Sequence, residues 1–443
     1  MGKARRQSGD ASLVGHVLIT ALLAAIVVQA ANIFDLFWSG ATFFAYLVQL
    51  LVFLVYLAFP MMRIRLAVML PALGIIVFLI IEHIRFCHLA ESPYNFNALL
   101  FYLPLLSFLP LYKSGLPISR ITNILFVVST VYVIIYVVAH DLILSGSLGE
   151  NRAIHNGDVE RGTRLYLAAG FATFIAFYAM TNRKMAWILR AAVFGIAFVA
   201  IWLSGFRTLG AIFIAVMLLS SLRLLGIGTR IAFFCLFVVI SAVLLAGLFV
   251  PQWNPFQSMA SDGSAFARSL EYRVAMTVIK QHWLLGSGIA SDFGAQQIFF
   301  RTKEYEPLYP TDLGILGPFI HFGVVGVIAF LVITYLCMVP MAGRNDGSGF
   351  RGLQLNGFLC GLMGVISPSL LLDPNALFLS ILLVARLREG PLFRPIPFKK
   401  LWFEALPVRY GMALGGLRSA FGRGASKDHA ANHYSPTRNR ESL

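Results

Sequence analysis

The sequence predicts an all-α polytopic membrane protein of about twelve transmembrane helices, with one large extracytoplasmic helical loop between spans 9 and 10. Two observations predict it. Of 443 residues, 58% are hydrophobic and only 12% are charged, against roughly 25% charged in soluble domains. The apolar residues also gather in runs near 18 residues or longer, the length that crosses about 30 Å of hydrocarbon. A β-barrel would show short alternating segments instead.

Taken in order, the basic start (Lys3, Arg5, Arg6) precedes an apolar run from Ser12 to Ala31. That run reads as an uncleaved first span, with a cleaved signal peptide as the alternative. Further spans fall at 41–59, 64–82, 97–112, 120–140, 164–181, 187–203, 208–225, 229–250, 313–339, 352–371 and 374–387. Pro71 in the third and Pro104 and Pro110 in the fourth predict kinks, because proline removes a helical donor and crowds the preceding turn. The chain therefore divides into spans 1–9 (1–250), an outer loop (251–312), spans 10–12 (313–387) and a basic tail (388–443). Cys87, Cys235, Cys337 and Cys360 are scattered and read as packing residues, without metal or disulfide spacing.

The net charge of +15 follows the excess of Lys and Arg on cytoplasmic segments and does not point to nucleic acid. With the N-terminus inside, fourteen of the 35 Lys and Arg lie on inner segments and eleven from Arg386 onward, leaving ten outside. Both termini are then cytoplasmic, and the loops after the fifth and ninth spans lie outside. The first of these, His140 to Thr163, reads as a solvated connection. The tail reads as an interfacial segment on anionic lipid, followed by about twenty residues of disordered composition.

The loop from Pro251 to Asp312 is the long polar insertion between spans, and candidate chemistry gathers around it. Upstream, Ser204-Gly205-Phe206-Arg207-Thr208 joins the seventh and eighth spans. Ser204 reads as an N-cap and Gly205 as a tight turn. The free amides of the next helix and the Arg207 fork would suit an anion. An arginine snorkelling to headgroups fits the position equally well. In the loop, a helix is predicted from about Ala265 to Leu285, with Phe266, Leu270, Val274 and Val278 on its apolar face. Arg268 and Tyr272 share another face, Glu271 lies one turn from Arg268, and Arg273 points elsewhere. Five basic and six acidic residues lie between Pro251 and Asp312, so anion binding there depends on individually placed arginines. Asp312, at the mouth of the tenth span, reads as an N-cap or a general base. Gly314, Gly317, Gly323 and Gly326 follow, and small residues let helices approach closely. His321 reads as a packed, hydrogen-bonded histidine.

These residues resemble the O-antigen ligase and polysaccharide polymerase family of bacterial cell envelopes. Ser204-Gly205-Phe206-Arg207-Thr208 is similar to the family's Ser-Gly-Ser-Arg-Thr turn. Arg268 to Tyr272, followed by His282-Trp283-Leu284-Leu285-Gly286-Ser287-Gly288, resembles its Arg-x-x-x-Trp and His-Pro-Leu-x-Gly-x-Gly. Gly323-Val324-Val325-Gly326 matches the glycine pair early in the span after the loop. The match covers roughly Trp202 to Ala329. Eleven residues before that pair the ligases carry histidine, and here the position is Asp312, which looks more like the polymerase branches.

The resemblance implies polymerisation of polyprenyl-diphosphate-linked oligosaccharide repeat units, by inverting glycosyl transfer without metal or other cofactor, at the periplasmic face of the bacterial inner membrane. Arg207 and Arg268 would clamp the diphosphate and Asp312 would receive the acceptor's proton. Arg273, Tyr272, Glu271, His321 and Ser204 would line the substrate. The implied partners are the lipid-linked oligosaccharide, a glycan acceptor, membrane lipid and a chain-length regulator. A ligase acting on a lipid or protein acceptor is the alternative within the family. A lipid-linked sugar flippase is the alternative from another class, and would call for repeated halves and midplane charges.

Overall fold

The computed structural model describes residues 2–31, 34, 38, 40–58, 66–100, 102–144, 154–155, 163–164, 169–250, 263–290, 313–339, 349–364 and 375–389. These form helices α1 (Gly2–Ala31), α2 (Ala41–Ala58), α3 (Leu66–Leu89), α4 (Asn97–Leu100), α5 (Leu103–Leu106), α6 (Phe108–Lys113) and α7 (Ile118–Leu144). After them come α8 (Ala169–Thr181), α9 (Trp187–Leu203), α10 (Arg207–Ser221), α11 (Ile227–Phe249) and α12 (Gly263–His282). The series ends with α13 (Leu316–Met338), α14 (Phe350–Met363) and α15 (Asn375–Glu389). Between α7 and α8, strands β1 (Ile154–His155) and β2 (Thr163–Arg164) pair antiparallel.

Among the described residues, six helices are long and apolar enough to cross a membrane: α1, α2, α3, α7, α11 and α13. Helices α8, α9 and α10 are apolar but shorter. The architecture is that of a helical multi-pass membrane protein. Its outward faces agree with that: Phe43, Leu47, Leu51 and Leu54 of α2, and Val127, Val131, Ile134 and Val138 of α7, are exposed apolar stripes. In water such stripes would be costly, whereas lipid solvates them at no loss.

The interior is built on α8 and α14. From Phe171 to Ala179 every residue of α8 is buried, so this helix is apolar all round because it touches neighbours all round. Helix α14 lies against it closely enough that a Cβ at Gly352 would meet the Tyr178 backbone at 2.6 Å. Polar bonds link the layers: Thr173 donates to Asn356 (2.8 Å), and Gln49 of α2 donates to Gln29 of α1 (2.5 Å). In hydrocarbon such side chains bond one another because water is absent.

The predicted span at 97–112 is three short helices rather than one. Pro104 and Pro110 break its ladder, and the freed carbonyls are taken up locally. Ser107 donates to Pro104 (2.6 Å), and Ser380 of α15 donates to Pro104 (3.0 Å) and Leu105 (2.9 Å). Serines from neighbouring helices commonly restore such lost bonds in membranes.

One end of the bundle is a ring of cations donating to the last carbonyls of helices. Lys113 bonds Tyr56 (2.5 Å). Arg190 bonds Ala179 (2.9 Å) and Met180 (3.2 Å). Arg386 bonds Leu336 and Val339, and Arg388 bonds Leu111, Tyr112 and Leu116. A cation there meets both the orphan carbonyls and the negative end of the helix dipole. At the opposite end His140 of α7 meets the Leu203 carbonyl of α9 (3.3 Å). Helix α11 runs antiparallel to α13, with Phe234 on Tyr335 and Phe237 on Phe330. The end of α11, the α9–α10 turn and the start of α13 therefore lie at the end away from the cation ring.

Candidate functional site

Helix α12 begins at Gly263 and ends at His282, close to the predicted span, but its buried face is rotated. Glu271, Tyr272, Ala275, Val278 and Ile279 are buried, while Leu270 and Val274 are half-buried. The cause is its seat between α11 and α13, which favours the face carrying small Ala275. Tyr272 donates its hydroxyl to the Leu244 carbonyl of α11, and burial pushes that phenol up to about 12. Arg273 is exposed on the other side.

Beyond His282 the chain makes a turn that the rest of the bundle grips from two sides. On one side stands α13, which is broken at Gly323 (φ 61°, ψ −149°). Its freed groups bond the turn: Ser287 donates to Ile320 (2.6 Å), Gly288 to His321 (2.9 Å), and Val324 to Trp283 (3.0 Å). A Cβ at Gly323 would fall 2.3 Å from the Leu284 carbonyl. The glycine thus admits the backbone of the turn, not another helix as the sequence suggested. His321 Nδ1 lies 3.1 Å from the Gly288 carbonyl, a packed and hydrogen-bonded histidine as the sequence led us to expect.

On the other side stands the end of α3. The Arg85 guanidinium donates to the carbonyls of Gly286 (2.6 Å) and Leu285 (2.5 Å) and to the carboxylate of Glu82 (2.5 Å). Ile289 donates to the Glu82 carbonyl (3.3 Å), and His83 Nδ1 lies 3.1 Å from the Ile289 carbonyl. The other carboxylate oxygen of Glu82 is buried with no hydrogen-bond partner among the described residues. His282 is near enough to Arg85 for their charges to interact; burial first, and then that charge, hold its imidazole below the usual histidine range. Sequence reasoning missed Glu82, His83 and Arg85 as partners of the turn. Three ionisable side chains within four residues of an apolar span were the available signal, since such groups are expensive in hydrocarbon.

The predicted site residues fall into four groups. Tyr272, Glu271, Arg273 and His321 lie on or beside α12 and its turn. Arg207 opens α10 at the same end of the bundle and is exposed; its amide donates to the Gly205 carbonyl (3.0 Å), while its guanidinium has no hydrogen-bond or ion-pair partner among the described residues. Arg268 lies on α12, but its side chain, like the whole of Asp312, is outside the described residues. So are 251–262, 291–312 and the tail from 390. Ser204 corrects an expectation. It caps the end of α9 rather than the start of α10, and its fully buried hydroxyl donates to Ile201 (2.7 Å). Phe206 takes the N-cap position without a side-chain bond. Gly205, at φ 66°, makes the turn so tight that serine stays with the preceding helix.

No protein-family model matches the chain, and no characterised protein matches its sequence.

Proposed function

We propose that this protein is a membrane glycosyltransferase that polymerises polyprenyl-diphosphate-linked oligosaccharide repeat units at the outer face of the bacterial cytoplasmic membrane. One observation carries the reading. The turn that resembles the family's glycine motif is bonded to both α3 and α13, and so fixes the arginine-bearing α12 at the end of the bundle where Arg207 stands. A leaving diphosphate develops negative charge, and preorganised arginine forks stabilise it without reorganisation. In this reading Arg207 and Arg268 bind the diphosphate from two parts of the chain. Arg273 is a further contact, and Asp312 receives the proton of the attacking hydroxyl as the anomeric centre inverts. The turn contributes rigidity: its carbonyls at 285, 286, 288 and 289 all meet side chains, so α12 is held by bonds as well as by apolar contact.

The test is reconstitution of the purified protein with lipid-linked repeat units on one side of the bilayer only. Chain growth without translocation supports the polymerase. Transfer of a single glycan to a lipid or protein acceptor makes it a ligase, and translocation without growth makes it a flippase.

A further inference from the structure

At the end of the bundle carrying the cation ring, one arginine breaks the pattern. Lys113, Arg190, Arg386 and Arg388 all bond carbonyls at the C-terminal end of a helix, Arg190 reaching back from the start of α9 to the end of α8. Arg230 sits in the first turn of α11, the positive end of that helix's dipole, where a cation is disfavoured. It is 5% exposed, and its Nε and Nη1 are buried without a hydrogen-bond partner among the described residues. Its guanidinium lies 5.2 Å from the centre of the Phe358 ring of α14, a contact that holds a cation in place but satisfies no N–H. A second cation, Arg351 in the first turn of α14, is close enough to interact with it electrostatically and is exposed.

Both arginines thus stand in the first turn of a helix, and α11 packs on α14 through Phe233 and Phe358, whose ring centres are 5.7 Å apart. The N-caps, Gly226 of α11 and Gly349 of α14, carry no side-chain cap. Neither arginine has a carboxylate partner among the described residues. Two uncapped positive helix ends, an unpartnered buried guanidinium and a second one at the surface all lack the same thing, an anion with several acceptor oxygens.

We infer that α11 and α14 form a binding site for a phosphate group at the end of the bundle opposite the candidate glycosyl-transfer site. Arg230 binds from below, Arg351 at the mouth, and the amides of the two first turns complete the oxygen shell. The phosphate is either the headgroup of an anionic membrane lipid or free inorganic phosphate. Basic pockets between helices at the inner leaflet are suited to the former.

The experiment uses the full-length purified protein. Lipid retention is measured by native mass spectrometry after exchange into phosphatidylglycerol or phosphatidylcholine nanodiscs, and thermal unfolding is measured in neutral detergent with and without inorganic phosphate. The expected result is selective retention of phosphatidylglycerol, reduced about tenfold by Arg351→Gln, which loses a charge-assisted bond at an exposed position and leaves the fold intact. Arg230→Gln should abolish the selectivity. A rise of the melting temperature by several degrees with inorganic phosphate, lost in the same variants, also supports the site and identifies the small anion as sufficient. No response of the wild type to either probe overturns the proposal, as does selectivity unchanged in both variants. So does an internal counter-ion. Asp346, the acid nearest Arg351 upstream, would reveal itself if Asp346→Asn and Arg230→Gln each lowered the melting temperature equally and the double variant no further.

Discussion

Arg85 and Gly286, 201 positions apart, are joined by a 2.6 Å hydrogen bond from guanidinium to carbonyl oxygen. Because the same guanidinium also holds Glu82 (2.5 Å) and the Leu285 carbonyl (2.5 Å), one side chain ties the end of α3 to the turn after α12. Replacing it with alanine strands a buried carboxylate and frees two carbonyls. The expected cost is about 3–5 kcal/mol, the usual penalty for breaking one side of a buried pair. Thermal unfolding in detergent measures it, and Arg85→Lys, which keeps the charge and loses the fork, should fall between wild type and alanine.

Gly323→Ala should detach the turn from α13. The backbone there is at φ 61° and ψ −149°, a region open essentially to glycine alone, and the added carbon would overlap the Leu284 carbonyl. A loss of about 3 kcal/mol is expected from strain and overpacking together. Hydrogen exchange reports it locally: the Val324 amide, bonded to Trp283 at 3.0 Å, should lose protection before the rest of the helix.

Arg268→Lys keeps a positive charge and removes the planar fork. Under the proposed function, glycan polymer should fall roughly a hundredfold, as expected when one donor to a developing anion is lost. Protein abundance should stay unchanged. Polymer of normal amount and length would take Arg268 out of the site.

Arg386→Ala removes the cation bonded to Leu336 and Val339 at the end of α13. A cost of about 1.5–3 kcal/mol is expected for charge-assisted bonds to orphan carbonyls. Since this residue lies at the far end from α12, glycan transfer per folded molecule should not change, which separates stability from chemistry.

His282 makes stability depend on pH in a defined direction. Burial and the neighbouring Arg85 depress its pKa in the folded protein, while the unfolded chain binds a proton near pH 6.5. Its contribution is therefore fully present above about pH 6.5 and is lost as pH falls from there through the folded value. The difference in melting temperature between wild type and His282→Gln, followed from pH 8 to pH 5, should shrink or reverse on acidification. A difference flat across that range would rule out the depressed titration.

Much of the fold was legible because it is local. Hydropathy placed a helix at almost every predicted span, and polarity singled out α12 to within two or three residues at each end. The predicted number of spans is a different matter. Among the described residues six helices have the length to cross, and α8, thirteen residues long there, is buried among neighbours from Phe171 to Ala179. A hydropathy window responds alike to lipid and to a protein interior. The α12 face was misjudged for a related reason, since its apolar period could not register which neighbours would press on it.

By itself the sequence determined that this chain is a helical membrane protein, where its cations collect, and that a polar helix interrupts the spans late in the chain. These follow from side-chain solvation and from the spacing of residues within one segment. Only the tertiary structure decided that α13 breaks at Gly323, that the turn after α12 fits into the break, and that Glu82, His83 and Arg85 secure it. The bonds that decide this join backbone carbonyls to groups tens to hundreds of residues away, and a carbonyl carries no sequence signature.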